Sequence, residues 1–101
     1  MFDFTRQVTY TGVVDHFDWE NPHIYLYLVA DRSGLEVTLK GETGSPLAMQ
    51  KRGWSAGMLK PGDRVTVKGN PPKDASNIFW IDSITTADGK VFEAGKYPDN
   101  N

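Results

Sequence analysis

The chain has 101 residues, 39% of them hydrophobic and 24% charged, which suits one globular domain with a single core and not a disordered protein. It has no cysteine, which excludes disulfides, thiolate metal sites, iron–sulfur clusters and a cysteine nucleophile. The formal net charge is −2 and the 11 Lys and Arg are scattered, so the basic excess that phosphate neutralisation gives nucleic-acid binders is missing.

The first β-rich run covers residues 7–19 and is dense in Val, Thr, Tyr and Phe. Val8, Tyr10 and Val14 share one parity, whereas Phe17 and Trp19 share the other. Gly12 inside the run predicts a bulge or a barrel bend near its middle. Asn21-Pro22 breaks the run, because proline forces its predecessor into extended or turn geometry.

Residues 23–30 form the clearest strand. Ile24, Leu26, Leu28 and Ala30 point one way, and His23, Tyr25, Tyr27 and Val29 the other. Residues 31–34 read as a hairpin turn into a third strand, in which Leu35, Val37 and Leu39 alternate with Glu36, Thr38 and Lys40.

Ser45-Pro46 is an N-cap and first-turn pair that predicts a helix over residues 47–52, about two turns, stopped at Gly53. A second short turn follows Trp54, with Met58 and Leu59 packing inward. Lys60-Pro61-Gly62-Asp63 is a turn, and residues 64–69 a fourth strand with Val65 and Val67 inward. A polar loop with two prolines covers residues 70–77. Residues 78–85 form the fifth strand, and Asp88-Gly89 turns it into residues 90–93.

Five or six strands with one short helix between the third and fourth is the element order of an OB barrel. The expected fold class is therefore all-β with one short helix, a five- or six-stranded OB-fold-like barrel. It is expected as a single domain over residues 1–101, with residues 94–101 a frayed tail. No run reaches the ~18 apolar residues of a membrane span. Met1 is followed at once by Phe2, Asp3 and Phe4, with no leader pattern, so the chain reads as cytosolic or as a mature chain whose leader is gone.

The string Phe17-Asp18-Trp19-Glu20-Asn21-Pro22-His23 resembles the W-x-N-P-H segment of small exported bacterial proteins, the domain-of-unknown-function family 6152. Gly44-Ser45-Pro46, Arg52-Gly53-Trp54 and the stretch from Leu59 through Pro61-Gly62-Asp63 to Val67 and Gly69 are similar to it too. Pro72-Lys73-Asp74 and Ala87-Asp88-Gly89-Lys90 fit as well, so the resemblance runs from Phe2 to Val91. It implies a periplasmic or secreted setting and a natural leader, and no settled activity. Such chains often open with His-His-Ser shortly before a Met-Phe-Asp like Met1-Phe2-Asp3. That opening is missing here, so the resemblance implies that Met1 lies inside a longer natural sequence.

Candidate site residues follow from the second strand. His23, Tyr25 and Tyr27 form a row of polar-tipped rings on the face that OB barrels commonly use for ligands, with Glu36, Thr38 and Lys40 expected across from them. Such a row stacks sugars, bases or other planar molecules. The alternative is an ordinary solvated face, or one covered by the N-terminal segment or a second subunit. Trp19, Asn21 and His23 sit at the corner before this strand. They read as a pocket rim, or as a structural corner that Asn21 caps and His23 braces.

His16 and His23 are the only histidines, and a zinc site usually takes three protein ligands, so Glu20 or Asp18 would have to complete a set. Glu42, Arg52 and Trp54 flank the short helix. Arg52 over Trp54 would make a cation–π pair or an anion contact. The plainer expectation is that Trp54 plugs the barrel end. Trp80 is expected outside the barrel, because Phe79 and Ile81 suit the core parity; exposed there, it would mark a partner surface.

No G-x-S-x-G, phosphate loop or dinucleotide fingerprint is present, so no catalytic residue, metal ligand or cofactor is assigned. The expected function is a non-catalytic, exported binding or accessory module for a small molecule or protein, acting through Trp19, Asn21, His23, Tyr25 and Tyr27. One alternative is a periplasmic copper-binding protein using His16, His23 and an N-terminal His pair. Another is a self-assembling structural subunit, a homo-oligomer. Nucleic acid is disfavoured as a partner by the acidic balance.

Overall fold

The computed structural model describes residues 1–95, and in it six strands and one helix follow one another. They are β1 (Val8–Asp18), β2 (Tyr25–Arg32), β3 (Leu35–Glu42), α1 (Pro46–Gln50), β4 (Arg64–Asn70), β5 (Ile78–Thr86) and β6 (Val91–Glu93). The first half of β1 pairs with β4 and the second half with β2, both antiparallel. β2 pairs with β3 and β4 with β5, again antiparallel. A short parallel pairing, Lys40↔Ile78 to Glu42↔Trp80, joins β3 to β5 and closes the barrel. The circuit β1-β2-β3-β5-β4 around one long shared strand is the OB connectivity, with β6 added to β5 as an extra strand.

The period-2 pattern of β2 places Ile24, Leu26, Leu28 and Ala30 in the core and leaves His23, Tyr25, Tyr27 and Val29 half-buried outside. Residue 23 nonetheless precedes the strand. Ile24 is tied instead to the β3–α1 connection, donating to the Gly44 carbonyl and accepting from Thr43 N–H. The turn between β2 and β3 is only Ser33-Gly34, both at positive φ (54° and 82°), a geometry that suits the twist of the flanking strands.

Two bulges explain the parity switches. The β1–β2 register slips between Val14 and His16, so Asp15 is the extra residue, and Phe17 then faces Leu26 on the inside. The bulge is therefore three residues beyond Gly12. Gly12 is the bend: it pairs with Ala30 on one side and Val65 on the other, and a Cβ there would lie 2.4 Å from the Val29 carbonyl oxygen. On β5 the register slips at Asp82, which lets both Ile81 and Ile84 face inward although they are an odd three positions apart.

α1 is shorter than its predicted span. Ser45 caps it by accepting Ala48 N–H at 3.2 Å, Pro46 opens it, and Lys51 and Arg52 form a turn that ends at Gly53 (φ 91°). Trp54 follows and is the plug: it is buried with Leu59, Phe92 and Ala94 in the one core cluster. Arg52 is exposed. Of the stretch read as a frayed tail, Ala94 is fully buried and donates to the Asp82 carbonyl, and residues 96–101 lie outside the described residues. Among the described residues no helix is long and apolar enough to cross a membrane.

Trp80 lies outside the barrel core, as parity predicted, but it is not exposed: 1% of its surface is accessible. The chain start covers it. Phe2 packs on the indole at 5.6 Å between centroids and Phe4 at 6.5 Å. This overturns the expectation of a bare indole at a partner surface.

Candidate functional site

The outer face of β1–β2–β3 carries the row of rings. Antiparallel pairing sets His16 beside Tyr27 and Asp18 beside Tyr25 on one flank. On the other flank it sets Lys40 beside Tyr27 and Glu42 beside Tyr25. His16 stacks on Tyr27 with centroids 4.0 Å apart and planes 18° apart. The Lys40 ammonium sits 4.3 Å from the Tyr25 ring centre and 5.6 Å from that of Tyr27, a bridge between the two phenols. Each ring thus already has a neighbour, and the face presents phenol hydroxyls, ring edges and one ammonium.

Carboxylates frame it. Asp15 lies 2.7 Å from His16 Nδ1, and Asp18 3.8 Å from its Nε2. His23 Nδ1 is 2.8 Å from the Thr43 carbonyl oxygen, which can only accept, so Nδ1 carries the proton. Its Nε2 then faces Glu42 Oε2 at 3.9 Å, and its ring edge rests on Trp80 at 6.2 Å. His23 is thus a brace between the β1–β2 loop and the end of β3, as the corner alternative held.

Burial holds the Tyr25 phenol above its ordinary value; the Glu42 carboxylate adds to this, and the Lys40 ammonium opposes it. The folded chain therefore keeps this phenol neutral to higher pH than the unfolded chain does. The stability linked to it is full below the ordinary value of 10.0 and is lost as pH rises through the folded value. Titration of tyrosinate absorbance is expected to show a component ionising above that value, absent from Tyr25→Phe. An unchanged curve in the variant would contradict the assignment.

The predicted residues divide. His23, Tyr25 and Tyr27 share the outer face. Trp19 does not join them: it packs against the core with Phe17, 6.1 Å between centroids, on the inner parity set by the Asp15 bulge. Asn21 is exposed in the β1–β2 loop beside the cis Asn21-Pro22 bond, and among the described residues its side chain caps nothing. Of the expected cross-strand set only Lys40 meets the rings, since Thr38 pairs with Val29 and Glu36 with Asp31. His16, Asp18 and Glu42 were missed as members of the face. The signal for the first two was the phase change in β1, which shows a bulge but not its position.

The site is a surface and not a cavity. Two clefts formed by described residues leave out the rings, although one of them includes Asp15. One of about 650 Å³ is lined by Gly12, Val29 and Glu36, and one of about 530 Å³ by Met58, Arg64, Lys90 and Phe92. Among the described residues no group of three or more His, Asp or Glu is placed to hold a metal ion, and His16 and His23 do not converge on one.

No curated protein and no solved structure matches the chain. A sequence-family profile does, over residues 1–79, which takes in β1, β2, β3, α1, β4 and every residue of the ring-bearing face. The chain belongs to the Family of unknown function (DUF6152).

Proposed function

We propose that this protein is a non-catalytic, exported binding or accessory module whose ligand site is the outer face of β1–β2–β3. The observation that carries it is the cluster of His16, Tyr27, Lys40 and Tyr25 on one open surface of the barrel. A sheet face of rings on a rigid barrel suits ligands that lie flat across it. The chemistry around the rings narrows the ligand. Asp15, Asp18 and Glu42 repel a polyanion, and they accept hydrogen bonds from hydroxyls. Neutral, polyhydroxylated molecules such as oligosaccharides fit best: their C–H groups meet the exposed edges of Tyr25 and Tyr27, and their hydroxyls meet Lys40 and the carboxylates.

Isothermal titration calorimetry with neutral cello-, malto- and chito-oligosaccharides tests this. Saturable binding to at least one is expected. Losing both ring contacts is expected to cost at least ~1.4 kcal/mol, so Tyr25→Ala with Tyr27→Ala weakens binding by at least ~10-fold. Binding to none of them, or unchanged affinity in the folded double variant, would overturn the reading. A tighter, salt-sensitive affinity for an oligonucleotide would replace it with a nucleic-acid role.

A further inference from the structure

The residues after α1, the start of β4 and the turn from β5 to β6 wall a cleft of about 530 Å³, which shares no residue with the ring-bearing face. Pockets for small molecules have this size. The pairing Val65↔Thr86 sets Arg64 beside the turn that carries Lys90. That turn is fixed by its own backbone: Thr86 N–H donates to the Lys90 carbonyl and Gly89 N–H to the Thr86 carbonyl, both at 2.9 Å. Phe92 and Met58 supply the apolar part of the lining. Phe92 is held by the Trp54 plug, 6.3 Å between centroids, whereas Met58 is half-buried and unbranched and adapts to the shape of what it meets.

The charged side chains of the lining are not equivalent. The carboxylates are turned into their own turns. Asp63 accepts Lys60 N–H at 2.9 Å, and Asp88 accepts the Thr86 hydroxyl and, at 3.3 Å, Lys90 N–H. The cations are not engaged in this way: among the described residues neither Arg64 nor Lys90 has a carboxylate within ion-pair distance. The Lys90 ammonium sits 4.9 Å from the centre of the Phe92 ring, a cation–π contact that holds it at the apolar lining and leaves its N–H groups to donate outward. Arg64 is exposed, and its planar fork matches a carboxylate. We propose that this cleft is a binding site for a small organic molecule with one carboxylate and an apolar body. The body packs on Met58 and Phe92, and the carboxylate meets Arg64 and Lys90. Asp63 and Asp88 limit the charge: they balance the two cations, so a single negative charge is accepted and phosphate or a polyanion is repelled.

Isothermal titration calorimetry of the full chain with benzoate, 3-phenylpropanoate and octanoate tests this, with the corresponding neutral amides and inorganic phosphate as controls. Saturable binding of at least one carboxylate is expected, at least tenfold tighter than its amide or phosphate. Arg64→Gln with Lys90→Gln is expected to weaken it at least tenfold, and both residues are exposed, so the variant keeps its core. Tyr25→Ala with Tyr27→Ala is expected to leave it unchanged, which separates this site from the ring-bearing face. Chemical-shift mapping on the parent chain locates the ligand without any substitution, and the largest saturable shifts are expected at Met58, Arg64, Lys90 and Phe92. No saturable binding of any of the three carboxylates overturns the proposal. So does an amide or phosphate that binds as tightly, an unchanged affinity in the folded charge variant, or shifts centred on His16 and Tyr27.

Discussion

Trp54→Ala is expected to lower the free energy of unfolding by about 3–5 kcal/mol. The indole is 2% exposed and closes the barrel end between α1 and β6. It meets Phe92 edge-on at 6.3 Å, and its Nε1–H donates to the Glu93 carbonyl at 2.9 Å. Its own backbone is fixed as well, since Trp54 N–H donates to Met49 O just after the Gly53 stop. Alanine removes the largest side chain of that end and strips the Glu93 carbonyl of its donor. The surrounding turns cannot collapse into the gap, because Met49 and Leu59 are held by the same core. Urea unfolding followed by circular dichroism measures the loss. Trp54→Phe keeps most of the volume and gives up mainly the hydrogen bond, so a smaller loss, about 1 kcal/mol, is expected for it. A loss under ~1 kcal/mol for Trp54→Ala would contradict the plug.

Gly69→Ala is expected to destabilise the chain by about 1–3 kcal/mol or more, although it adds a single methyl group. Gly69 pairs with Val8 of β1 and with Ile81 of β5, next to the β5 bulge. A Cβ there would lie 2.0 Å from the Trp80 carbonyl oxygen and 3.1 Å from the Phe79 ring. The obstacle is backbone, so no rotamer change relieves it, and the β4–β5 ladder must open. Gly57→Ala is the control: nothing lies within 4 Å of its Cβ position, and near-neutral stability is expected. Thermal melts of the two variants side by side check this. Equal midpoints would mean that the close approach at Gly69 is not real.

The barrel was legible because its evidence is local. Alternation in β2 and β3, the Ser45-Pro46 cap, and the turns at Pro61-Gly62 and Asp88-Gly89 each act over a few residues. What failed depends on partners distant in sequence. Where a bulge falls is settled by the partner strand, so the phase change in β1 was visible, but Asp15 could not be told from Gly12. The same ambiguity hid Asp82 in β5, the bulge that lets Ile84 turn inward. Trp80 was placed on the correct side of its strand, but its cover comes from Phe2 and Phe4, nearly eighty residues earlier in the numbering. In the candidate site, Tyr25 and Tyr27 followed from parity alone. His16 and Glu42 needed the register of two other strands, and Trp19 was lost to the inner side by the bulge.

We propose the outer face of β1–β2–β3 as the place where this protein meets its ligand. Chemical-shift mapping of the isotope-labelled chain during titration with a neutral oligosaccharide tests it most directly. The largest saturable shifts are expected at His16, Tyr25, Tyr27, Lys40 and Glu42. Shifts confined to the cleft of Met58, Arg64 and Phe92, or no saturable shift with any neutral oligosaccharide, would contradict it.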